Sequence, residues 1–291
     1  MKIWLNGRIV DPAQATIPVT DHGLLYGDGI FEGIRVYGGR VFRLDDHLHR
    51  FGTSAKAVGL ELPGGLEAIR RAVLETASAY GADEAYMRLV ATRGSGELGV
   101  DPTKCKDPTV FCIADAIRLY DPAVLAKGIS LLTASVRRPA SDMLDPRVKS
   151  LNYLNSVLAK REAVLRGADE ALILNDRGQI AEASVANLFT VRGGVLSTPP
   201  ATDGALEGIT RASVLDIARD LGIETREATL GRFDVLGADE CFLTGTGARI
   251  VPVGSLDGER VGPVDRTGIG PVTARVMDAF GPFTALHGTA F

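Results

Sequence analysis

Lys149 is a residue whose position in this sequence suggests chemistry. It stands in residues 145–153 (DPRVKSLNY), between an irregular stretch and a strongly periodic helical pattern. Only seven of the 32 basic residues are lysines, and none follows Lys160. A lysine here is either a solvated surface charge, which position alone favours, or an amine near apolar groups and Arg147 that can form a Schiff base.

Two loops of small residues, 206–211 (LEGITR) and 244–248 (TGTGA), could bind an anion. The first places Gly208 just before a helical pattern, so backbone N–H groups and the Thr210 hydroxyl would point at the ligand. The second follows a predicted strand and offers further amides and hydroxyls. Together with a basic side chain such as Arg50 they would suit one phosphate group. The same residues also suit ordinary helix capping, with Thr210 as a candidate N-cap.

Glu182 lies in residues 179–184 (QIAEAS), where it alternates with small and apolar residues as in a strand. A carboxylate at such a position is by default exposed to solvent. If it is buried, it requires a cationic partner.

The composition limits the function classes. The chain has 291 residues, 45% of them hydrophobic, and 32 basic against 36 acidic side chains, for a net charge of −4. This balance argues against a nucleic-acid-binding surface and a polybasic membrane patch, and no window is apolar enough for a membrane span. Three cysteines without Cys-x-x-Cys spacing support neither a disulfide framework nor a zinc site. We therefore expect a cytoplasmic protein that binds no metal.

The elements that must position these residues alternate between hairpins and helices. Asn6-Gly7 and Gly38-Gly39 are two-residue hairpin signals, and further hairpins are predicted within residues 171–183 and 188–196. A helix is predicted over residues 151–166 and another over 210–221. Leucines on one side of the first form its predicted buried face: Leu151, Leu154, Leu158 and Leu165.

This alternation predicts two α+β domains. The smaller N-terminal domain would span residues 1–120 and the larger C-terminal domain residues 129–291, joined by a linker at 121–128.

Five ordered motifs resemble the class IV (fold type IV) pyridoxal-phosphate-dependent aminotransferases, the group that includes branched-chain and D-amino-acid aminotransferases and aminodeoxychorismate lyase. The resemblance runs from Ile3 to about Pro271. Its motifs are residues 26–35 (YGDGIFEGIR), 149–154 (KSLNYL), 181–189 (AEASVANLF), 208–211 (GITR) and 244–246 (TGT). It implies a smaller N-terminal α/β domain and a larger, β-barrel-like C-terminal domain flanked by helices.

The resemblance implies pyridoxal 5'-phosphate as cofactor and assigns a role to each matching residue. Lys149 resembles the catalytic lysine that bonds covalently to the cofactor and moves protons. Glu182 resembles the carboxylate that pairs with the pyridine nitrogen, Tyr153 the tyrosine at the phenolic oxygen, and Arg50 the phosphate-binding arginine. The implied cofactor site is completed by Leu206, Gly208, Ile209, Thr210, Gly245 and Thr246.

Within this family the sequence is most similar to branched-chain aminotransferases, which implies transfer of the amino group of L-leucine, L-isoleucine or L-valine to 2-oxoglutarate by a ping-pong mechanism. Tyr26, Phe31 and Tyr86 would form the apolar side-chain pocket. Arg88 would bind the γ-carboxylate, and Gly247 and Ala248 would lie at the α-carboxylate. Members of the family are at least dimers, so a homodimer or higher homo-oligomer is implied.

Three departures from the branched-chain pattern leave other substrates open. Ala183 and Val185 replace glycines after the pyridine-binding glutamate, Ala186 replaces an acidic residue, and Arg249 replaces a glutamate. The alternatives are a D-amino-acid aminotransferase, an (R)-amine transaminase or an aminodeoxychorismate lyase of the same fold. From a different class comes a protein that carries the cofactor without turnover.

Overall fold

The structure is a computed structural model that describes residues 1–117, 120–262 and 269–291. Its helices are α1 (His22–Tyr26), α2 (Leu44–Ala57), α3 (Gly65–Tyr80), α4 (Pro122–Lys127), α5 (Leu154–Leu165), α6 (Ile209–Asp220), α7 (Arg232–Leu236) and α8 (Pro271–Leu286). Its strands are β1 (Lys2–Leu5), β2 (Arg8–Val10), β3 (Gly29–Tyr37), β4 (Arg40–Phe42), β5 (Ala85–Thr92), β6 (Val110–Asp115), β7 (Ile129–Arg137), β8 (Glu170–Leu174), β9 (Ile180–Ala183), β10 (Asn187–Arg192), β11 (Val195–Thr198), β12 (Thr225–Glu227), β13 (Glu240–Gly245), β14 (Arg249–Leu256), β15 (Glu259–Arg260) and β16 (Gly288–Ala290).

The chain forms two compact units. The first comprises Met1–Ile117, Val148–Asn152 and Thr284–Phe291, and the second comprises Arg118–Arg147 and Tyr153–Phe283. The first unit thus includes two segments from the later half of the sequence. The domain ranges expected from the sequence were contiguous and did not include such segments. The predicted domain boundary at residue 120 adjoins residues 118–119, which lie outside the described residues.

The first unit is built on an antiparallel sheet with the strand order β16-β4-β3-β5-β6-β1-β2. Gly38 and Gly39 form the predicted turn between β3 and β4, both with positive φ (54° and 70°), as a tight hairpin requires. One face of β3 packs Ile30 and Ile34 against Leu48 and Phe51 of α2. The helices therefore cover the face of β3 that carries its even-numbered side chains.

The second unit contains a mixed sheet with the order β12-β11-β10-β13-β14-β7-β8-β9, with β15 paired to β14. β9 is the last strand of this order, yet β10, near the other end, begins four residues after β9 ends. So short a connection forces the sheet to curl, because the chain cannot otherwise reach across the intervening strands. The predicted hairpins β8–β9 and β10–β11 are both present. Helices and antiparallel or mixed sheets in each unit confirm the α+β prediction.

Two local predictions for the helices of the second unit are wrong. The leucines predicted to be buried on α5 are exposed, with Leu154 at 69% and Leu165 at 68%. Instead the small residues Ala159 and Ala163 pack against β7 and β8, since small side chains allow close approach. Thr210 is not the N-cap of α6, because the helix begins at Ile209 and Gly208 occupies the cap.

In the part of the chain that the structure describes, no helix combines the length and the hydropathy needed to cross a membrane.

Candidate active site

Lys149 is held in the first unit by pairing with β3. β4 pairs only with Val36 and Tyr37, at the end of that strand. Nearer the start of β3, the segment around Lys149 forms backbone hydrogen bonds with the strand. The Phe31 amide donates to the Lys149 carbonyl at 3.0 Å, and the Lys149 amide donates to Ser54 Oγ at 3.2 Å. The half-buried Lys149 side chain places its Nζ 4.5 Å from the centre of the Phe31 ring. This is an amine against an aromatic face, rather than a fully solvated charge.

The Phe31 ring also contacts a second cation. Phe31, Gly33, Tyr86 and Arg88 share one face of the β3–β5 pair, as the register Gly33 opposite Arg88 requires. The Arg88 guanidinium carbon lies 4.5 Å from the Phe31 ring centre, and its Nη2 donates to the Tyr86 hydroxyl at 2.7 Å. The structure thus brings together Lys149, Phe31, Tyr86 and Arg88 from the predicted set.

Gly33 makes room for this arrangement. A Cβ at position 33 would lie 2.5 Å from the Tyr86 hydroxyl, so any side chain there would displace the Tyr86 ring. Glycine therefore allows the Tyr86 hydroxyl to lie directly over the β3 backbone, where it accepts the bond from Arg88.

Arg50 lies on α2, facing the other side of β3, and is held there by Glu32. Arg50 Nε and Nη2 each donate to one Glu32 carboxylate oxygen at 2.7 Å. His47 Nδ1 lies 2.8 Å from Glu32 Oε2, and because an ionised carboxylate only accepts, Nδ1 carries the proton. Glu32 and His47 are both buried.

The pKa values of this pair follow from burial and charge. Burial would raise the pKa of Glu32, but the charges and hydrogen bonds of Arg50 and His47 outweigh it and lower the pKa to about 2. Burial lowers the pKa of His47, a shift only partly offset by Glu32. At neutral pH the cluster therefore contains an ionised glutamate, a charged arginine and a neutral histidine.

Tyr26 lies at the end of α1, which Asp21 caps by accepting from the Gly23 amide at 2.7 Å. The Tyr26 hydroxyl accepts from the Gly99 amide at 2.9 Å, so Tyr26 anchors the loop that carries Leu98 and Val100. The side chains of both loop residues are more than 80% exposed.

Glu182 lies on β9 in the second unit and is buried among three donors. Arg138 Nη2 donates to its Oε1 at 3.0 Å. Asn187 Nδ2 and the Leu206 amide each donate to its Oε2 at 3.1 Å. The cationic partner that a buried carboxylate requires is therefore Arg138, which the sequence analysis did not identify and which lies outside the family motifs.

Asn187 also positions the loop that precedes α6. Its Nδ2 donates to the Leu206 carbonyl at 2.9 Å, and a Cβ at position 208 would lie 2.0 Å from Asn187 Oδ1. Only glycine therefore fits at position 208 without displacing Asn187. Because Gly208 supplies no side-chain cap, the first amides of α6 are available to an anion. Thr210 is buried in this first turn.

Five other predicted residues of the second unit lie at element ends or in the turn between two strands. Tyr153 is the half-buried residue that immediately precedes α5. Thr246 and Gly247 lie in the turn between β13 and β14, and that turn closes at Arg249, a non-glycine residue with a φ of 62°. Gly245 and Ala248 flank them. Next to Gly245 the Thr244 hydroxyl is buried with no hydrogen-bond partner among the described residues.

Comparison with known proteins gives a consistent result. Residues 29–256 match the family model described as amino-transferase class IV. A putative branched-chain-amino-acid aminotransferase of Methanocaldococcus jannaschii is 48% identical over 280 residues, which are 96% of this chain and 95% of the relative. The branched-chain-amino-acid aminotransferase of Escherichia coli K12 is 38% identical over 97% of this chain and 93% of its own length.

Solved structures extend the match to the fold. A branched-chain amino acid aminotransferase designated T.th., solved with pyridoxamine 5'-phosphate, superposes with a TM-score of 0.93 at 37% identity, covering 99% of this chain and 98% of that one. The same enzyme was also solved with N-(5'-phosphopyridoxyl)-L-glutamate. These matches confirm the fold that the sequence motifs predicted.

Proposed function

The chain belongs to the class IV aminotransferases, and we propose that it transfers the amino group of L-leucine, L-isoleucine or L-valine to 2-oxoglutarate by a ping-pong mechanism. The observation that carries this proposal is the Phe31 ring, which contacts both the Lys149 amine and the Arg88 guanidinium at 4.5 Å. An amine able to react with a carbonyl and a cation able to bind a carboxylate thus share one apolar surface.

The residues present fit pyridoxal 5'-phosphate as the cofactor. Arg50 and the amides at the start of α6, with Thr210 and Thr246, would bind its phosphate. Glu182 would accept the hydrogen bond of the pyridine nitrogen, and Tyr153 would donate to the phenolic oxygen. When bound, this group supplies an electron sink for cleavage of a bond at the substrate α-carbon. The pyridoxamine 5'-phosphate bound to the T.th. relative supports this assignment.

Lys149 moves the proton in this proposal. Its Nζ would hold the cofactor when no substrate is bound and would serve as the base for the α-proton of the amino substrate. Phe31 limits the water around that amine because its ring covers one side of it. Glu182, held by Arg138, Asn187 and the Leu206 amide, would keep the ring nitrogen protonated.

Two substrates with different side chains must use one pocket. Phe31, Tyr86 and Tyr26 present aromatic surface for a branched apolar side chain. Arg88 would bind the γ-carboxylate of glutamate or 2-oxoglutarate, and the amides at Gly247 and Ala248 would bind the α-carboxylate. The phosphopyridoxyl-L-glutamate complex of the T.th. relative supports glutamate as a substrate.

We also propose a homo-oligomer, at least a dimer. The loop that Tyr26 anchors exposes Leu98 and Val100, two apolar side chains that a second copy of this chain would cover. The cytoplasmic location stays a prediction.

The absorption spectrum of the purified holoenzyme tests the proposal directly. L-leucine alone should abolish the visible band of the lysine-bound cofactor and yield the amine form, and 2-oxoglutarate should then restore the band. A response to D-alanine but not to L-leucine would contradict the substrate and would point to Val185 and Arg249. A spectrum with no cofactor band after incubation with pyridoxal 5'-phosphate would contradict the cofactor as well.

A further inference from the structure

We propose that Glu32 is the positioning residue for Arg50, so that Glu32 determines how strongly this protein holds the phosphate of its cofactor. The inference rests on the proposed function, in which Arg50 binds that phosphate. It assigns a role to a residue that lies next to Phe31 on β3 but faces the opposite side of the sheet.

The geometry of the pair carries the argument. Two parallel hydrogen bonds of 2.7 Å join Arg50 Nε and Nη2 to the two oxygens of Glu32. Such a bidentate pair fixes both the position and the plane of the guanidinium. Because the guanidinium is planar, its Nη1 edge then has a defined direction, away from the carboxylate. A long side chain that would otherwise rotate freely is thereby held in one orientation.

Glu32 is itself held rigidly. It is fully buried at the centre of β3, with Ile30 and Ile34 packed on the same face. His47, one helical turn before Arg50 on α2, donates to Oε2 at 2.8 Å. The low pKa of Glu32, about 2, keeps its carboxylate ionised throughout the working pH range. The acceptor for Arg50 is therefore always present and always in the same place.

Glu32 contributes orientation rather than charge. Its negative charge offsets that of Arg50 and would by itself weaken the attraction for phosphate. The gain is that the remaining donors of Arg50 need not be ordered when phosphate binds. A positioning residue of this kind changes the affinity for ligands that carry a phosphate group and leaves the affinity for ligands without one almost unchanged. A residue that only stabilises the sheet changes both affinities equally.

This difference defines the experiment. Full-length apoenzyme, prepared by dialysis against hydroxylamine, is titrated with pyridoxal 5'-phosphate and with pyridoxal. The dissociation constant for pyridoxal divided by that for pyridoxal 5'-phosphate measures the contribution of the phosphate. We expect Glu32→Gln, which keeps the shape but loses one acceptor and the charge, to lower that ratio about tenfold. The ³¹P NMR line of the bound cofactor should shift or broaden in the same variant.

Glu84→Gln is the matched control. It breaks another ion pair made by β3, between Arg35 of that strand and the half-exposed Glu84, where Nη2 lies 3.0 Å from Oε2. We expect it to leave the ratio unchanged. If Glu32→Gln does not fold, Glu32→Asp keeps the charge but withdraws the carboxylate by one methylene, and it should lower the ratio as well.

The outcomes separate this inference from the proposed function. Equal weakening of both ligands in the Glu32 variants, together with a lowered ratio in Arg50→Ala, would overturn the positioning role alone. An unchanged ratio in Arg50→Ala would overturn both the phosphate role of Arg50 and the inference built on it.

Discussion

Arg138 and Glu182 form a nearly buried ion pair in which Nη2 lies 3.0 Å from Oε1, with side chains only 10% and 11% exposed. Arg138 is further held by Ser156 Oγ at 3.3 Å and by the Ala183 carbonyl at 3.4 Å. The pair is thus part of a network that joins the start of α5 to the end of β9. Such a network orients the carboxylate before any ligand arrives.

Replacing Arg138 should therefore destabilise the protein as well as misplace Glu182. In Arg138→Met a buried carboxylate loses its cation, and we expect the free energy of unfolding to fall by about 3–5 kcal/mol. Chemical denaturation measures this loss. The double variant Arg138→Met/Glu182→Gln should recover part of it, because the unpaired charge is gone. Additive losses would show that the two side chains are not coupled.

Lys149→Ala should reduce transamination to background while the protein still binds pyridoxal 5'-phosphate weakly through the phosphate contacts. The reason is that no other group in the proposal can bond to the cofactor and move the α-proton. Steady-state turnover with L-leucine and 2-oxoglutarate measures the effect. Lys56→Ala, which removes an exposed lysine at the end of α2, is the control and should behave as wild type. Full activity in Lys149→Ala would contradict the mechanism.

The sequence predicted the features that depend on neighbours along the chain. Gly38-Gly39 specifies a hairpin turn by its own backbone freedom, and Gly208 marks the start of a helix. The motif around Lys149 marks it as the candidate catalytic lysine, because family motifs combine several such local signals. These predictions required no knowledge of which segments pair.

The features that the sequence did not predict depend on long-range contacts. Arg138 carries no motif, and its role is set only when β7 and β9 bring it to Glu182. The leucines of α5 form an apolar stripe, but a stripe does not specify what covers it, and the helix packs through Ala159 and Ala163 instead. The pairing of the Lys149 segment with β3 is likewise a long-range contact, and it is possible because the short strand β4 pairs only with the end of β3.

Glu182→Gln should slow the chemical step strongly. The amide can no longer stabilise a protonated pyridine nitrogen, and loss of a charged contact of this kind corresponds to about 2–5 kcal/mol of transition-state stabilisation. Single-turnover kinetics with L-leucine measure the step apart from product release. Activity within about a factor of two of wild type would contradict the proposed role of the carboxylate, since even a modest catalytic contact exceeds that effect.

Arg88→Ala should distinguish the two substrates. We expect kcat/KM for 2-oxoglutarate to fall about 100-fold, the size of a lost hydrogen-bonded charge pair, and that for L-leucine to change far less. Tyr86→Phe removes only the hydroxyl that accepts from Arg88 at 2.7 Å, and it should show the same preference with a smaller effect. An equal fall in kcat/KM for both substrates would mean that Arg88 does not bind the acidic side chain.

Acidification should destabilise the protein in two stages because of His47 and Glu32. The folded protein holds the pKa of His47 below its ordinary 6.5, chiefly by burial and further by the positive charges of Arg50 and Lys149, against the charge and hydrogen bond of Glu32. Below pH 6.5 the unfolded chain therefore binds a proton that the folded chain does not, and the free energy of unfolding decreases as the pH is lowered. Glu32 acts in the same direction, because its pKa is lowered from an ordinary value of 4.5 to about 2 in the folded protein. This difference corresponds to about 3 kcal/mol of folding stability, which is lost as the pH falls through that range.

Denaturation of the holoenzyme at pH 7.5, 6 and 5 reports mainly the first stage, since all three values lie above the ordinary pKa of 4.5 for Glu32. His47→Gln keeps a donor for Glu32 but has no proton to gain, so its unfolding free energy should depend less on pH over this interval. His49→Gln, on the exposed side of the same helix, should retain the wild-type slope. If His47→Gln and wild type lose stability in parallel from pH 7.5 to 5, His47 binds its proton equally well in the folded and unfolded chains, and its burial has no effect on acid stability.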